Sequence, residues 1–351
     1  MTHQLRTYLA NRANLHRHKL ESTQIPANLD TIIVIPAIAE ETTLPLTLES
    51  VANCNRERLE NTLVIITINN RTPDVENPQV IDENQRTLAW LQTNPHPNLH
   101  LAHIDASSPG LELSKKEGVG SARKIGMDHA ANLLLEANPA SPLIISLDAD
   151  TIVRSTYLDA FHKFASSEAP WAGVMNYAHS IPEDPDEKAA IIAYELFLRY
   201  QDLGLHYARS PYAFHTIGST IACTPEAYAA VSGMNKRKAG EDFYFLQQLA
   251  KTGTVTPVTD CIVIPSPRVS WRVPFGTGKR VGRFIEKSYE EYMVYHPDSY
   301  EILKRWFELV SKNLETSGEF LIKEAAVIHT ELAVFLNYIE FESKWIRLDR
   351  K

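Results

Sequence analysis

The stretch Pro142-Leu143-Ile144-Ile145-Ser146-Leu147-Asp148-Ala149-Asp150 decides how this chain reads. Its apolar run lacks polar alternation, the pattern of a strand covered on both faces within a parallel sheet. It stops abruptly at two carboxylates. A core gains nothing from such a pair at a strand end, because each must stay solvated or find a cation. Residues i and i+2 of an extended segment point the same way, so Asp148 and Asp150 can face one point. A divalent cation holding a diphosphate suits that pair, since magnesium and manganese are commonly bound by one or two carboxylates plus substrate phosphates.

The same pattern recurs toward the N-terminus. Thr31-Ile32-Ile33-Val34-Ile35 is a β-branched run ending at Pro36, and Thr62 to Ile68 is another ending at Asn69-Asn70. Asn98 to Asp105 reads as a third, shorter strand. Helical spacing fills the intervals, at Leu44, Leu48 and Val51, then at Leu88 and Leu91, then from Ala122 to Leu135. This alternation predicts an α/β fold with a mostly parallel sheet flanked by helices. Ligands in open sheets of that kind bind outside the carboxyl ends of the strands. Three polar groups stand at such ends: Pro36-Ala37 to Glu40, Asn69-Asn70, and Asp148 to Asp150.

The flanks differ in character. Residues 1–30 are polar, and a short amphipathic helix is expected around Leu5 to Leu20. Beyond Asp150, helices are expected from Thr156 to Phe164 and from Asp186 to about Arg209, with strands over Trp171 to Asn176 and Val255 to Ile264. From Val281 onward the chain reads as mostly helical. The predicted organisation is an N-terminal helical segment (1–30), an α/β domain (31–280) and a helical C-terminal extension (281–351).

Composition narrows the function classes. The chain has 351 residues, 44% hydrophobic and 22% charged, which is a globular balance. A net charge of -8 argues against binding nucleic acid through its phosphate backbone. Cys54, Cys223 and Cys261 are isolated, fitting neither a disulfide framework nor a zinc site, and point to a reducing compartment. No apolar run approaches the roughly 18 residues of a membrane span. A soluble, cytoplasmic protein is the expectation.

Further along, Gly240-Glu241-Asp242 opens a predicted helix, where free N–H groups and the helix dipole favour negative charge. Acidic first turns also occur for stability alone. The functional alternative is a general base: a hydroxyl nucleophile must lose its proton as it attacks, and a nearby carboxylate can take it. Asp242 is the candidate base, with Glu241 positioning it. Gly118-Val119-Gly120-Ser121-Ala122-Arg123 fails the dinucleotide fingerprint, which needs a third glycine where Arg123 stands. Arg123 could still reach a phosphate or ribose. Phe275-Gly276-Thr277-Gly278-Lys279-Arg280 is no Walker loop, and reads as either a loop closing over an anion or a solvated basic turn. His179, His206 and His215 are more readily surface or core histidines than metal ligands. Trp271-Arg272 suits sugar or phosphate recognition, or simple packing.

Taken in order, these pieces resemble family 2 glycosyltransferases of the GT-A fold. The resemblance runs from about Thr31 to Gly278 and rests on Ile35-Pro36-Ala37 with Glu40, Gly120-Ser121-Ala122-Arg123-Lys124 and Leu147-Asp148-Ala149-Asp150. It continues through Gly218-Ser219-Thr220, Pro225-Glu226-Ala227-Tyr228, Ser232-Gly233-Met234 and Gly240-Glu241-Asp242. It implies a nucleotide-diphosphate sugar donor, a hydroxyl acceptor and Mn2+ or Mg2+ on Asp148 and Asp150. It also implies Asp242 as base of an inverting transfer, and a donor pocket drawing on Pro36, Ala37, Glu40, Asn69, Arg123 and Asp148. Asn69-Asn70 stands where many members carry an acidic pair, and Arg268-Val269-Ser270-Trp271-Arg272 only loosely replaces the family's Gln/Arg-x-x-Arg-Trp motif. A retaining enzyme, or a nucleotide-binding protein without transfer activity, would use the same donor residues. The C-terminal helices could cover an acceptor, form a homodimer or touch a membrane surface.

Overall fold

The computed structural model describes residues 3–13, 15–22, 24–94, 96–269 and 276–348. Among the described residues nine strands form one sheet: β1 (Leu20–Ser22), β2 (Thr31–Ala37), β3 (Thr62–Asn69), β4 (His100–Ala106), β5 (Leu143–Ser146), β6 (Ile152–Val153), β7 (Ala172–Tyr177), β8 (Ile221–Cys223) and β9 (Val255–Ile264). Their spatial order is β1-β4-β3-β2-β5-β8-β7-β9-β6. The run β4-β3-β2-β5 is parallel throughout. Beyond it, β8 is antiparallel to both β5 and β7, while β7 and β9 are parallel. The α/β architecture with a mostly parallel, helix-flanked sheet and a helical C-terminus is therefore as the hydrophobic patterning predicts. Every residue of β2 and β3 is buried, which is why those strands show no alternation.

Parallel neighbours require crossovers, and the helices Leu44–Ala52, Pro78–Thr93 and Val119–Ala137 supply them between β2, β3, β4 and β5. Val119–Ala137 packs on β2 and β3 and buries eleven residues, from Gly120 to Leu134.

The N-terminus differs from expectation. The helix spans only His3–Arg12, and Leu20–Ser22 is a strand paired antiparallel with β4. The cause is tertiary: β4 would otherwise leave its backbone groups unpaired at the sheet edge. The approach to that edge is fixed by His18, bonded through Nε2 to the Leu111 carbonyl at 2.8 Å, and by Arg17 donating to the Glu112 carbonyl at 2.8 Å.

The chain divides into two compact units. One comprises 1–194 and 216–289 and contains the sheet. The other comprises 195–215 and 290–351. Within the second, Gly204 lies against the Tyr300 ring, the Tyr200 hydroxyl donates to the Tyr295 carbonyl at 2.7 Å, and helices Gly318–Ile328 and Thr330–Tyr338 pack together. Among the described residues no helix is long and apolar enough to cross a membrane.

Candidate active site

The strand-end acids are held by local geometry before any ion pair forms. The Leu147 N–H donates to the Val34 carbonyl at 3.0 Å, extending the β2–β5 pairing by one residue. The chain then turns, with the Thr151 N–H donating to the Asp148 carbonyl at 3.2 Å and the Thr47 hydroxyl to the Ala149 carbonyl at 2.9 Å. Asp148 and Asp150 emerge from this turn partly exposed, at 31% and 23% of their side-chain surface.

Arg123 organises one side of the site. It lies in the first turn of helix Val119–Ala137 and is 4% exposed. Its Nε donates to Glu241 Oε1 at 3.0 Å and its Nη2 to Asp148 Oδ1 at 2.5 Å. Its Nη1 donates to the Ser146 hydroxyl and, at 3.3 Å, to the Gly218 carbonyl. Burial works against the cation, but the carboxylates of Asp148 and Glu241 outweigh it and raise the guanidinium's pKa. A side chain at Gly218 would place its Cβ 2.3 Å from Arg123 Nη2, so this position must remain glycine for the arginine to fit. The other oxygen of Asp148 accepts from the Ser219 hydroxyl at 2.5 Å, and Ser219 also bonds the Thr151 hydroxyl at 2.9 Å.

Arg268 organises the other side. Its Nε and Nη2 donate to Asp150 Oδ2 at 2.9 and 2.8 Å, and Nη2 also reaches Glu40 Oε1. Glu40 is 5% exposed and accepts from the Thr43 hydroxyl as well. Arg268 follows β9, Asp150 follows β5 and Glu40 follows β2, so one guanidinium ties three strand ends together. Its pKa is raised by Asp150 and Glu40 despite the opposing effect of burial.

Glu241 and Asp242 open helix Glu241–Thr252 after Gly240, whose φ of 69° lies in the left-handed region. Glu241 is 3% exposed and points to Arg123. Asp242 is half-buried, and its Oδ1 accepts from the Phe243 N–H at 2.7 Å. Burial and the neighbouring Glu241 push its pKa up to about 7, against the pull of Arg123 and of that N–H bond. The Asn235 side chain donates to the Glu241 carbonyl at 2.8 Å and holds the helix start in place.

The glycines before Arg123 have a packing role. Their Cβ atoms would collide with backbone: Gly120 with the Asn235 and Arg237 carbonyls at 2.6 Å, Gly118 with Lys238 Cα at 3.0 Å. They let the 235–238 segment approach helix Val119–Ala137, and Gly120 N–H donates to the Arg237 carbonyl at 3.2 Å.

The remaining candidates fall at the strand ends. Pro36 and Ala37 end β2 and are buried. Asn69 and Asn70 are buried, and Asn84 on helix Pro78–Thr93 donates to the Asn69 carbonyl at 3.0 Å and to Asn70 Oδ1 at 2.9 Å. Asn84 also accepts from the Ala39 N–H at 2.9 Å, linking the β2 and β3 ends. Asp148 and Glu241 thus join one ion network through Arg123, Asp150 and Glu40 a second through Arg268, Asp242 stands beside Glu241 at the helix start, and Asn69 joins a separate amide network. Ser146 and Asn84 are not among the candidates the sequence offers, and Ser219 enters there only within the Gly218-Ser219-Thr220 motif. A serine within an apolar strand was a usable signal for Ser146; Asn84 sits in an ordinary amphipathic helix and offered none.

Gly276 caps helix Thr277–Ile285, in which Lys279 is exposed and Arg280 lies over the Tyr194 ring at 5.8 Å. His179 is buried, with the Thr277 hydroxyl 3.4 Å from its Nε2, and His206 is 3.8 Å from Asp202. Trp271, Arg272 and Phe275 lie outside the described residues.

Whether a divalent metal fits can be judged from the donor chemistry. Glu40, Asp148 and Asp150 offer only hard carboxylate oxygens, the set suited to magnesium or manganese. Five carboxylates gather here with Arg123 and Arg268, so a diphosphate would add negative charge to an already acidic place, a condition that a divalent cation relieves. The chemistry fits. As placed, however, no three His, Cys, Asp or Glu side chains among the described residues converge on one ion, because both aspartates face arginines.

No family model matches the chain, and no curated protein matches it. Among solved structures it is similar to S. aureus TarS. For TarS 1–349 in complex with UDP-GlcNAc the TM-score is 0.46 at 11% identity, covering 86% of this chain and 71% of that one. For S. aureus TarS the TM-score is 0.47 at 12% identity, covering 90% of this chain and 53% of that one. For TarS 1–349 in complex with UDP the TM-score is 0.42 at 14% identity, covering 84% and 78%. At TM-scores below 0.5 this likeness does not establish a shared activity.

Proposed function

We propose that this protein is a GT-A-type glycosyltransferase of the family 2 kind, moving a sugar from a nucleotide-diphosphate donor to an acceptor hydroxyl with inversion. One observation supports this above the others: Arg123 ties the strand-end acid Asp148 to Glu241, in the same helix-start turn as Asp242, whose pKa burial and Glu241 push up to about 7. An acid pair suited to a diphosphate and a carboxylate suited to general-base work are the two halves of such a reaction.

Asp242 takes the acceptor's hydroxyl proton as that oxygen bonds the anomeric carbon. The bond from that carbon to the diphosphate oxygen breaks, its electron pair leaving with the nucleoside diphosphate. A carboxyl whose pKa is pushed up to about 7 is more basic than an ordinary carboxylate and is ionised above neutral pH, which suits it to general-base work. Glu241 holds Arg123, and Arg123 holds Asp148, so the donor end and the base end keep a fixed separation. Asp148 and Asp150 would hold Mn2+ or Mg2+, which when bound neutralises charge gathering on the leaving diphosphate. Pro36, Ala37 and the Asn69-Asn70-Asn84 network line up at the strand ends, where a nucleoside would rest.

The test is turnover of nucleotide-diphosphate sugars followed by NMR of the product anomer. A product of inverted configuration whose formation depends on Asp242 supports the reading. Retained configuration, or hydrolysis and transfer that persist in Asp242→Asn, removes Asp242 from its role.

A further inference from the structure

We infer that Arg268 is a resident counter-cation of the metal seat, and that its guanidinium must leave Asp150 before a divalent ion can bind there. The inference rests on the reading of Asp150 as a metal ligand and concerns what governs access to it. Three observations carry it. Arg268 approaches the same Asp150 oxygen through two nitrogens, at 2.9 and 2.8 Å, and shares one of them with Glu40. Glu40 is 5% exposed, so its charge needs a cation when no ligand is near. Arg268 itself is about one-third exposed, at 32%, so unlike Arg123 it borders solvent.

The physical consequence is competition. A monovalent guanidinium and a divalent ion cannot share one carboxylate oxygen without repulsion, so each disfavours the other. In the ligand-free protein the arginine is tethered and always charged, which gives it a high effective concentration at Asp150. A diphosphate offers the guanidinium equivalent acceptor oxygens in bidentate geometry. Arg268 therefore offsets part of the seat's negative charge when no ligand is bound, and the donor's own charge provides an alternative partner that draws the guanidinium off Asp150. Metal binding without donor is suppressed as a result.

The experiment is a titration of the full-length protein with Mn2+ alone, without nucleotide, read by the loss of the free-Mn2+ electron paramagnetic resonance signal. Arg268→Gln keeps a hydrogen-bonding side chain and removes the charge, so it should bind Mn2+ about tenfold more tightly than wild type, the worth of one charged hydrogen bond. Arg268→Lys should stay close to wild type. Adding Asp150→Asn to Arg268→Gln should abolish the gain. Circular dichroism on each variant checks that the fold persists, and Arg268→Ala gives a second neutral variant if Arg268→Gln does not fold. If Asp150-dependent Mn2+ binding is seen but is unchanged or weaker without the charge at 268, the counter-cation role is wrong. If no variant binds Mn2+ in an Asp150-dependent way, the metal seat itself is wrong and the inference falls with it.

Discussion

At the residue scale, the decisive feature is how each carboxylate's charge is handled. Burial and Glu241 push the pKa of Asp242 up to about 7, while Asp148, Asp150, Glu40 and Glu241 are each paired with an arginine. Asp242→Asn should reduce transfer about 10²- to 10⁴-fold, the usual contribution of a positioned base. In wild type, kcat/KM should rise with pH through an acid limb near 7, and that limb should be missing from the residual activity of the variant. Stability follows the opposite sign. Asp242's pKa is raised above its unfolded value, so its protonated form favours the fold, and this contribution is lost as pH rises from about 4 through about 7. Urea unfolding at pH 5 and pH 8 should therefore show Asp242→Asn gaining stability relative to wild type as pH rises. Gly218 is the other residue with a sharp expectation. Gly218→Ala forces Arg123 off Asp148 and should destabilise by about 1–3 kcal/mol, as overpacking does. It should also lower turnover, a combination that thermal unfolding and initial rates would reveal together.

At the element scale, helix Val119–Ala137 carries both the site and its own anchorage. Arg123 faces the acids, while Asp128 accepts from the hydroxyls of Tyr8 at 2.6 Å and Tyr228 at 2.7 Å and pairs with Lys124 at 2.9 Å. Tyr8 belongs to helix His3–Arg12, so the N-terminal helix is clamped to the element that positions Arg123. Asp128 is 3% exposed, and losing one of its partners leaves a buried charge less well satisfied. Tyr8→Phe should lower stability by about 1–2 kcal/mol, shifting the urea midpoint at unchanged slope. Tyr8→Ala should cost more, about 3–5 kcal/mol, because the ring packs edge-on against Tyr228 at 5.5 Å.

At the scale of the whole molecule, ligand binding should appear as added stability. A nucleotide-diphosphate sugar with Mn2+, at about a hundred times its dissociation constant, should stabilise the fold by about 2.7 kcal/mol, and Asp150→Asn should remove the metal-dependent part of the shift. A panel of donors in a thermal-shift assay reads this directly. Much of the sheet was legible beforehand, because strands buried on both faces are largely apolar without alternation, as β2, β3 and β5 are. The acids were legible as well: Asp148 and Asp150 end an apolar run, and Glu241 and Asp242 open a helix after Gly240, which are local properties. Their partners were not. Arg123 meets Glu241 across 118 positions, and Arg268 meets Asp150 across another 118. The short strand β1 and the packing duty of Gly118 and Gly120 were hidden for the same reason, since each answers to backbone brought in from elsewhere in the chain. The sequence by itself determined which segments are buried and where charge stands at their ends, because burial and charge belong to single residues. Only the tertiary structure decided which cation neutralises which acid, because a Coulombic partner is chosen by distance in space.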